Sequence, residues 1–399
     1  MRVAVIGAGI GGLTAAVGLQ QAGAAVEVFE RAAVLGPVGA GLSVFGNGLT
    51  ALDAIGLGDA LRSQSASAAT LRTGQRTPGG AWLTTTSAKS LTELRIVHRA
   101  ELQALLLDAL APGTVSYGAS VLGVSNAGDQ VEVESVSAHG EPVRFRRDYD
   151  LVVAADGIQS RVRASWPGDP GVRYSGYSAW RGVTQQPVDL GGAAGETWGS
   201  GLRFGIAPLV DGRVYWFAVA SMLADSVFDD EYAEVTRRFS SWHRPVAEII
   251  QATPKTAVFR HDIVDLAGPL PTFRRGRCLL LGDAAHAMTP NLGQGGNQAM
   301  EDGATLARLV GPLAIDVRPD ASTLAQALDR YDLLRRQRTQ SIARQSRAVG
   351  RVAQTSGRWR VAVRNTALRL LPAFVAGQPL TQIQSWQPPA RAEADRVSV

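Results

Sequence analysis

The residues of this chain that could do chemistry fall into two glycine-rich stretches and a few scattered polar side chains. Gly7-Ala8-Gly9-Ile10-Gly11-Gly12 fits the pattern GxGxxG. Gly7 permits a tight turn, Gly9 lets the backbone approach a pyrophosphate, and Gly12 lets a helix pack closely on a strand. A helix beginning there offers free N–H groups and a positive dipole end to phosphates. Glu30 ends the next apolar run, 18 residues beyond Gly12. A carboxylate at that point accepts ribose hydroxyls. It would repel a 2′-phosphate, so the site suits NAD or FAD and not NADP. The second stretch is Leu281-Gly282-Asp283-Ala284-Ala285-His286, followed by Pro290-Asn291-Leu292-Gly293-Gln294-Gly295-Gly296-Asn297. Asp283 can accept hydroxyls of a polyol chain, or it can cap a helix. The glycine run opens another helix N-terminus, which can stabilise partial negative charge on a ligand. Two such contacts predict one long ligand spanning both.

Other chemistries are excluded. Cys278 stands alone, so neither an intrachain disulfide nor a Cys-built metal site can form. The five His show no HExxH-like spacing, and no metal is expected. No run of ~18 apolar residues offers a membrane span. Val3–Ile6 stops at a Gly turn with no cleavage-like site after it, so the cytoplasm is the expected location. The 40 basic and 35 acidic residues give a net charge of +5. The basic residues, nearly all Arg, read as spread along the chain, which argues against a nucleic-acid partner. Arg335, Arg336 and Arg338 read as a solvated helix face.

The elements around these residues follow from pattern. Arg2–Ile6 reads as a strand, Gly11–Gln21 as a helix closed near Gly23, and Ala25–Glu30 as a second strand. That βαβ start requires a parallel sheet. Arg99–Leu110 is an amphipathic helix, and Val115–Val136 and Val143–Ala154 are strand-rich. From Val172 to about Val264, aromatics and alternation predict an antiparallel sheet. Val210-Asp211-Gly212 fits a three-residue hairpin loop. A three-residue loop puts Arg203 and Tyr215 on one sheet face, ~13 Å apart along the strand, whereas a two-residue loop would put them on opposite faces. Cys278–Leu281 returns as a buried parallel strand, with a helix from Gln298 to Val310. Residues 325–348 and 358–375 look helical, and the tail from Pro388 looks frayed. His286 and His98 read as packed, hydrogen-bonded side chains, and Cys278 as inert core.

With Asp156-Gly157-Ile158-Gln159-Ser160-Arg161-Val162-Arg163 added, three motifs stand in one order: GxGxxG, DG, and Gly282-Asp283. Over roughly residues 1–345 the chain resembles the single-component (class A) FAD-dependent aromatic hydroxylases typified by para-hydroxybenzoate hydroxylase. Segments Gly39–Asn47, Tyr174–Arg181 and Arg203–Trp216 look most like the urate and salicylate hydroxylase branch. The resemblance implies an α/β fold: a Rossmann-like FAD-binding domain, an inserted antiparallel β-sheet substrate domain, and C-terminal helices. The expected division gives the FAD domain residues 1–70, 99–171 and 275–345. The substrate side takes 71–98 and 172–274, and residues 346–399 form the C-terminal helices and tail.

It further implies non-covalent FAD, with adenosine near Glu30 and Arg31, pyrophosphate near Arg99, and adenine near Val121. Gly7, Gly9, Ile10 and Gly12 form the phosphate turn. Asp283 would hold the ribityl or pyrophosphate region. The N–H groups of Gly293, Gln294, Gly295, Gly296 and Asn297 would face the flavin, with Ser43 close by. Asp156 is linked to both FAD and NAD(P)H. In such enzymes NAD(P)H reduces the flavin and O2 adds at its C4a. The hydroperoxide then gives one oxygen to an aromatic or polycyclic small molecule, and the other leaves as water. Epoxidation, N-hydroxylation, or flavin reduction without oxygen insertion are the alternatives. The cofactor carries the hard chemistry, so no catalytic triad is required. Arg203 and Tyr215 match substrate-contacting positions of the urate branch. An Arg there could hold an anionic or carbonyl group, and a Tyr could share its phenolic proton. Asn291, after Pro290, stands where that branch has a catalytic Asp. An amide cannot act as that base, which points away from urate itself. Phe45-Gly46 replaces a frequent Trp-Pro. A monomer or homodimer is expected.

Overall fold

The run Val3–Ile6 is apolar throughout because its strand is buried on both faces. The computed structural model describes residues 1–34, 36, 41–67, 71–86, 93–127, 130–137, 143–316, 319–370 and 381–390. Gly39 and Ala40, the 371–375 end of the last expected helix, and the tail beyond residue 390 lie outside them. Strand Arg2–Ile6 pairs in parallel with Ala25–Glu30 on one side and Leu151–Ala154 on the other. Cys278–Leu280 extends this sheet in parallel beyond Leu151–Ala154, and Val115–Tyr117 flanks Ala25–Glu30. Val3 and Val5 pack with Leu13, Leu279 and Met300 on the helical side. Ala4 and Ile6 pack with Phe29, Val131 and Val152 on the other. That second face is covered by an antiparallel three-stranded sheet, Ala119–Ala127, Gln130–Ser137 and Val143–Tyr149.

The helical side is built on Ile10–Gln21 and Gly295–Val310. Each follows a strand of the parallel sheet, so each starts at the same sheet edge. This is where open α/β sheets bind ligands, outside the carboxyl ends of the strands.

A seven-stranded sheet forms the second layer. Its order is Phe259–Leu266, Val172–Val183, Val214–Ser221, Leu202–Pro208, Gly195–Trp198, Gly74–Arg76, Trp82–Thr85. All pairs are antiparallel except Gly195–Trp198 with Gly74–Arg76. Side chains alternate across it. Trp180, Phe204, Ile206, Trp216 and Ala218 point to one face and pack on helices Glu231–Phe239 and Val246–Gln251. Those two helices were not expected within the strand-rich region. Glu231–Phe239 buries only Val235 and Phe239, a short i,i+4 stripe that aromatic alternation around it obscures.

Helix Ala321–Ala353 runs longer than expected and corrects one reading. Arg335 is not on a solvated face; it is 1% exposed. Its Nε reaches Asp302 Oδ1 at 2.6 Å, its NH1 meets Glu301, and its NH2 reaches Gln298 Oε1 at 2.8 Å. Arg338 also pairs with Glu301, at 2.7 Å. Arg335 and Arg338, three apart, share the inward face, whereas Arg336 pairs with Asp332 one turn back. The even spread of charge is also corrected. Residues 333–392 hold eleven Arg and neither Asp nor Glu.

Candidate active site

Between the two layers lies a cavity of about 570 Å³. One end is built from glycine backbone. Gly12 sits so close to the preceding turn that a Cβ there would lie 2.2 Å from the Gly7 carbonyl oxygen. Helix Ile10–Gln21 starts at Gly9 with no side-chain cap and no acid in its first turn. Helix Gly295–Val310 starts at Gln294 in the same condition. Both open onto the cavity, whose lining includes Gly9, Ile10, Gly12, Gly293, Gly295 and Gly296. A Cβ on Gly9 or Gly295 would meet nothing within 4 Å. Two uncapped, positive helix ends facing one void fit a long ligand with anionic groups.

The expected cofactor residues divide by position. Ser43, Arg99 and Asp283 line the cavity with Pro290. Asp283 is exposed at the first turn of Asp283–His286, and Gly282 occupies the cap position. Capping is therefore not what Asp283 does. Glu30 accepts from Ala8 N at 2.9 Å and from Ala32 N at 2.8 Å, which fastens the glycine loop to the second strand. Its two oxygens keep lone pairs for a further donor. Arg31 is exposed beside it. Val121 is buried with Phe29 and Val131 in the core and does not line the cavity. Asp156 accepts from Arg161 N at 2.9 Å through Oδ2. Its Oδ1 is buried and has no partner in the structure. Gln294 and Asn297 turn their side chains into protein. Gln294 Oε1 accepts from Asn47 Nδ2 at 2.9 Å. Asn297 accepts from Phe45 N and donates to Ser43 O and Gly293 O, each at 2.9 Å. Asn297 thus ties the segment after strand Gly41–Val44 to the glycine loop. His286 Nε2 lies 2.6 Å from Asp302 Oδ2, which also accepts from Gly282 N at 2.9 Å. His98 caps helix Arg99–Asp108.

The other end is the second face of the seven-stranded sheet. Leu209 N bonds Arg213 O at 2.8 Å, closing a three-residue loop, and Ala207 faces Tyr215. Arg203 and Tyr215 accordingly share this face, and both line the cavity. Arg203 is 2% exposed, so it is no surface residue. Its NH2 donates to Asn291 Oδ1 at 2.8 Å and its Nε to Gln354 Oε1 at 3.0 Å. Its NH1 lies 3.6 Å from Glu196 Oε2. Asn291 donates to Tyr177 Oη and Thr289 Oγ1, both at 2.9 Å, and to Ser346 O at 3.0 Å. It stands behind Arg203, outside the cavity lining. Arg181 NH1 donates to the Tyr215 hydroxyl, and its Nε donates to His261 Nε2 at 3.4 Å. Burial raises the Tyr215 phenol above its ordinary range and outweighs the pull of Arg181. Burial, helped by the Arg181 charge, lowers His261 to about 4, so its imidazole is neutral near pH 7.

Arg181, Glu196, His261, Phe217 and Phe259 also line this end, and none was singled out from sequence. The available signal was parity. Ala179 and Arg181 alternate with Trp180, and Tyr215, Phe217 and Val219 alternate with Trp216 and Ala218. One set faces helices and the other faces the cavity.

The His261 shift predicts a pH effect. Its folded pKa lies below the ordinary 6.5, so its contribution is full above pH 6.5 and is lost as pH falls toward 4. At 1.4 kcal/mol per unit the full shift is worth about 3 kcal/mol. Thermal midpoints across pH 4–7 should therefore fall more steeply for the parent than for His261→Gln. Parallel curves would refute the assignment.

Residues 1–346 match the family described as FAD binding domain. The chain belongs to that family. An aurachin C monooxygenase/isomerase of Stigmatella aurantiaca is 36% identical over 385 residues, covering 93% of this chain and 94% of the relative. A 2-heptyl-3-hydroxy-4(1H)-quinolone synthase of Pseudomonas aeruginosa is 33% identical over 381 residues, with coverage of 93% and 94%. The crystal structure of Klebsiella pneumoniae HpxO complexed with FAD and uric acid is 29% identical, with a TM-score of 0.84 and 96% of each chain covered. This member of the FAD binding domain family is a FAD-dependent monooxygenase of the aromatic hydroxylase class, near the urate and salicylate hydroxylase branch. FAD is its cofactor, and O2 and a reduced nicotinamide are its cosubstrates. Among the described residues no helix is long and apolar enough to cross a membrane.

Proposed function

We propose that the enzyme hydroxylates a fused, nitrogen-containing aromatic ring that carries a ring carbonyl beside the attacked carbon. The observation that carries this reading is the polar composition of the cavity's far wall. Arg181 donates to the Tyr215 oxygen, so the Tyr215 O–H is left to donate into the cavity. Arg203 keeps NH1 hydrogens for a ligand, and Glu196 at 3.6 Å offsets its charge. With His261 neutral, Arg181, Arg203 and Glu196 leave one net positive charge. Such a wall suits a carbonyl oxygen that carries partial negative charge, more than it suits a free cation. Two of the relatives named above concern fused nitrogen heterocycles, a 4(1H)-quinolone and uric acid.

Gly9, Ile10, Gly12, Glu30, Ser43, Arg99, Asp283, Gly293, Gly295 and Gly296 would hold FAD in this reading. Bound FAD supplies hydride acceptance from the nicotinamide and activation of O2. The protein's own part is fourfold. The uncapped helix ends hold the cofactor's anionic groups. Phe217, Val219, Phe259 and Met288 exclude water around the ring. Arg203, oriented from behind by Asn291, fixes the ring's rotation. Tyr215 Oη keeps its proton and donates it as a hydrogen bond to the ring oxygen, which orients the ring and stabilises the electron-rich, anionic form that acts as nucleophile.

The test is a panel of 4-quinolones, purine-type carbonyls and hydroxybenzoates. Nicotinamide oxidation, O2 uptake and product mass are followed for each. The reading expects coupled turnover, with one oxygen added, on a fused heterocycle. Coupled turnover on hydroxybenzoates alone would overturn it. Tyr215→Phe should lower kcat/KM about 10- to 10²-fold, the cost of losing one hydrogen bond to a charged group, about 1.5–3 kcal/mol. Flavin reduction without substrate should stay at the parent rate. A Tyr215→Phe enzyme with parental kcat/KM would remove Tyr215 from the mechanism.

A further inference from the structure

Helix Arg358–Leu370 turns large apolar side chains outward, against the usual pattern of a surface helix of a folded domain. Its one buried residue is a cation, Arg364. That guanidinium donates to Ala353 O at 3.1 Å and Gly199 O at 3.0 Å, and it lies 5.7 Å over the Trp198 ring. Three of its five large apolar side chains face out, while Val361 and Leu368 are partly buried on the side of Arg364. Trp359 is 69% exposed, Val363 61% and Leu370 76%. At 100° per residue these three fall within about 40° of one another, and Arg364 falls about 140° from Trp359. The same geometry sets Arg358 and Arg369 about 80–100° to one side of the stripe, and Arg360 about 100° to the other. All three are exposed, as is Arg351 on the preceding helix. No acid interrupts them, because residues 333–392 contain none.

A single exposed apolar side chain needs no explanation, but an aligned stripe does. Nucleic acid would use the arginines and leave Val363 and Leu370 in water. A stripe of Trp, Val and Leu with arginine on both flanks has the chemistry of a helix lying in a membrane interface. The apolar side chains enter the acyl boundary, and the arginines meet anionic headgroups. The expectation that no run offers a membrane span concerns spanning segments, and this face does not span. We infer that the outward face of helix Arg358–Leu370 seats the enzyme on an anionic lipid surface. The anchor of that helix also touches the active site. Trp198, beneath Arg364, pairs with Arg203 in the sheet, and Gln354 in the turn before the helix accepts from Arg203. A lipid-seated helix therefore holds the substrate end of the cavity against the surface in which an apolar substrate dissolves.

The test is flotation of the FAD-loaded, full-length enzyme with two kinds of vesicle. One is phosphatidylcholine alone, and the other is phosphatidylcholine with phosphatidylglycerol. The enzyme should float with the anionic vesicles and not the neutral ones, and high salt should release most of it. Arg358→Gln, Arg360→Gln and Arg369→Gln combined should weaken partition at least 10-fold, as should Trp359→Ser with Val363→Ser. Both variants should keep the flavin spectrum and turnover on a water-soluble substrate. The salt and lipid dependence of the parent decides the matter even where a variant misfolds. No flotation, or equal flotation with both vesicles, overturns the inference. So does a concentration-dependent dimer abolished by the serine variant, which would assign the face to a second copy. Nucleic-acid binding without vesicle binding overturns it as well.

Discussion

Gly12→Ala should yield a folded protein that purifies without flavin. The added Cβ would lie 2.2 Å from the Gly7 carbonyl oxygen and 3.2 Å from the Ala155 Cβ. Neither neighbour is a flexible side-chain end. Gly7 is already held at φ +102°, a conformation that leaves little freedom to retreat. Helix Ile10–Gln21 must shift away from the strand, and its N-terminus leaves the position that faces the cavity. Overpacking of this kind costs about 1–3 kcal/mol, or up to about 10²-fold in the FAD dissociation constant. Titration of apoprotein with FAD, read by flavin fluorescence, checks this directly. Tight binding by Gly12→Ala would mean that the loop yields and that the close approach does not govern the site.

Arg335→Met should have the largest effect on stability. Burial alone would raise the Asp302 carboxyl, yet His286 and Arg335 outweigh burial and hold it below its ordinary range. Removing Arg335 leaves a fully buried carboxylate short of one of its two side-chain partners. Breaking a buried pair in this way costs about 3–5 kcal/mol. Arg338 still reaches Glu301, so the loss falls mainly on Asp302. Asp302 also accepts from Gly282 N, so the loop carrying Asp283 should loosen and FAD should bind more weakly. Denaturant unfolding with and without added FAD measures both effects. Adding Asp302→Asn to Arg335→Met should restore part of the stability, because it removes the unpaired charge. An Arg335→Met protein as stable as the parent would show the network to be dispensable.

Arg335 also marks where sequence reading stops. The strands Arg2–Ile6 and Ala25–Glu30, and the glycine turn between them, were legible because each signal is local. Four consecutive apolar residues, a GxGxxG pattern and an acid at the next strand end need no distant partner. The hairpin around Val210–Gly212 was legible for the same reason, since Gly212 takes the left-handed conformation at φ +80°. The partners of Arg335 lie on another helix, at Glu301 and Asp302. An Arg-Arg-Gln-Arg run carries no mark of which side faces them. Arg181 and His261 come together only because their strands are neighbours in the sheet. Their direction depended on pairing, whereas that of Tyr215 could be read from a turn five residues long. Asn291 was legible as a departure from a catalytic Asp, but its place behind Arg203 was not.

The central sheet is assembled from strands distant in the chain. Arg2–Ile6 pairs with Leu151–Ala154, and Leu151–Ala154 pairs with Cys278–Leu280. In the second sheet, Gly74–Arg76 must wait for Gly195–Trp198. Non-local pairing of this kind slows folding and exposes unpaired strand edges meanwhile. During translation, Arg2–Ile6 gains Ala25–Glu30 early, but its other side stays open until Leu151–Ala154 is made, and that strand in turn waits for Cys278–Leu280. Neither sheet can close early, so the two layers should form as one late event. Expression of this enzyme should then respond more to temperature and chaperone supply than to changes in its surface charge.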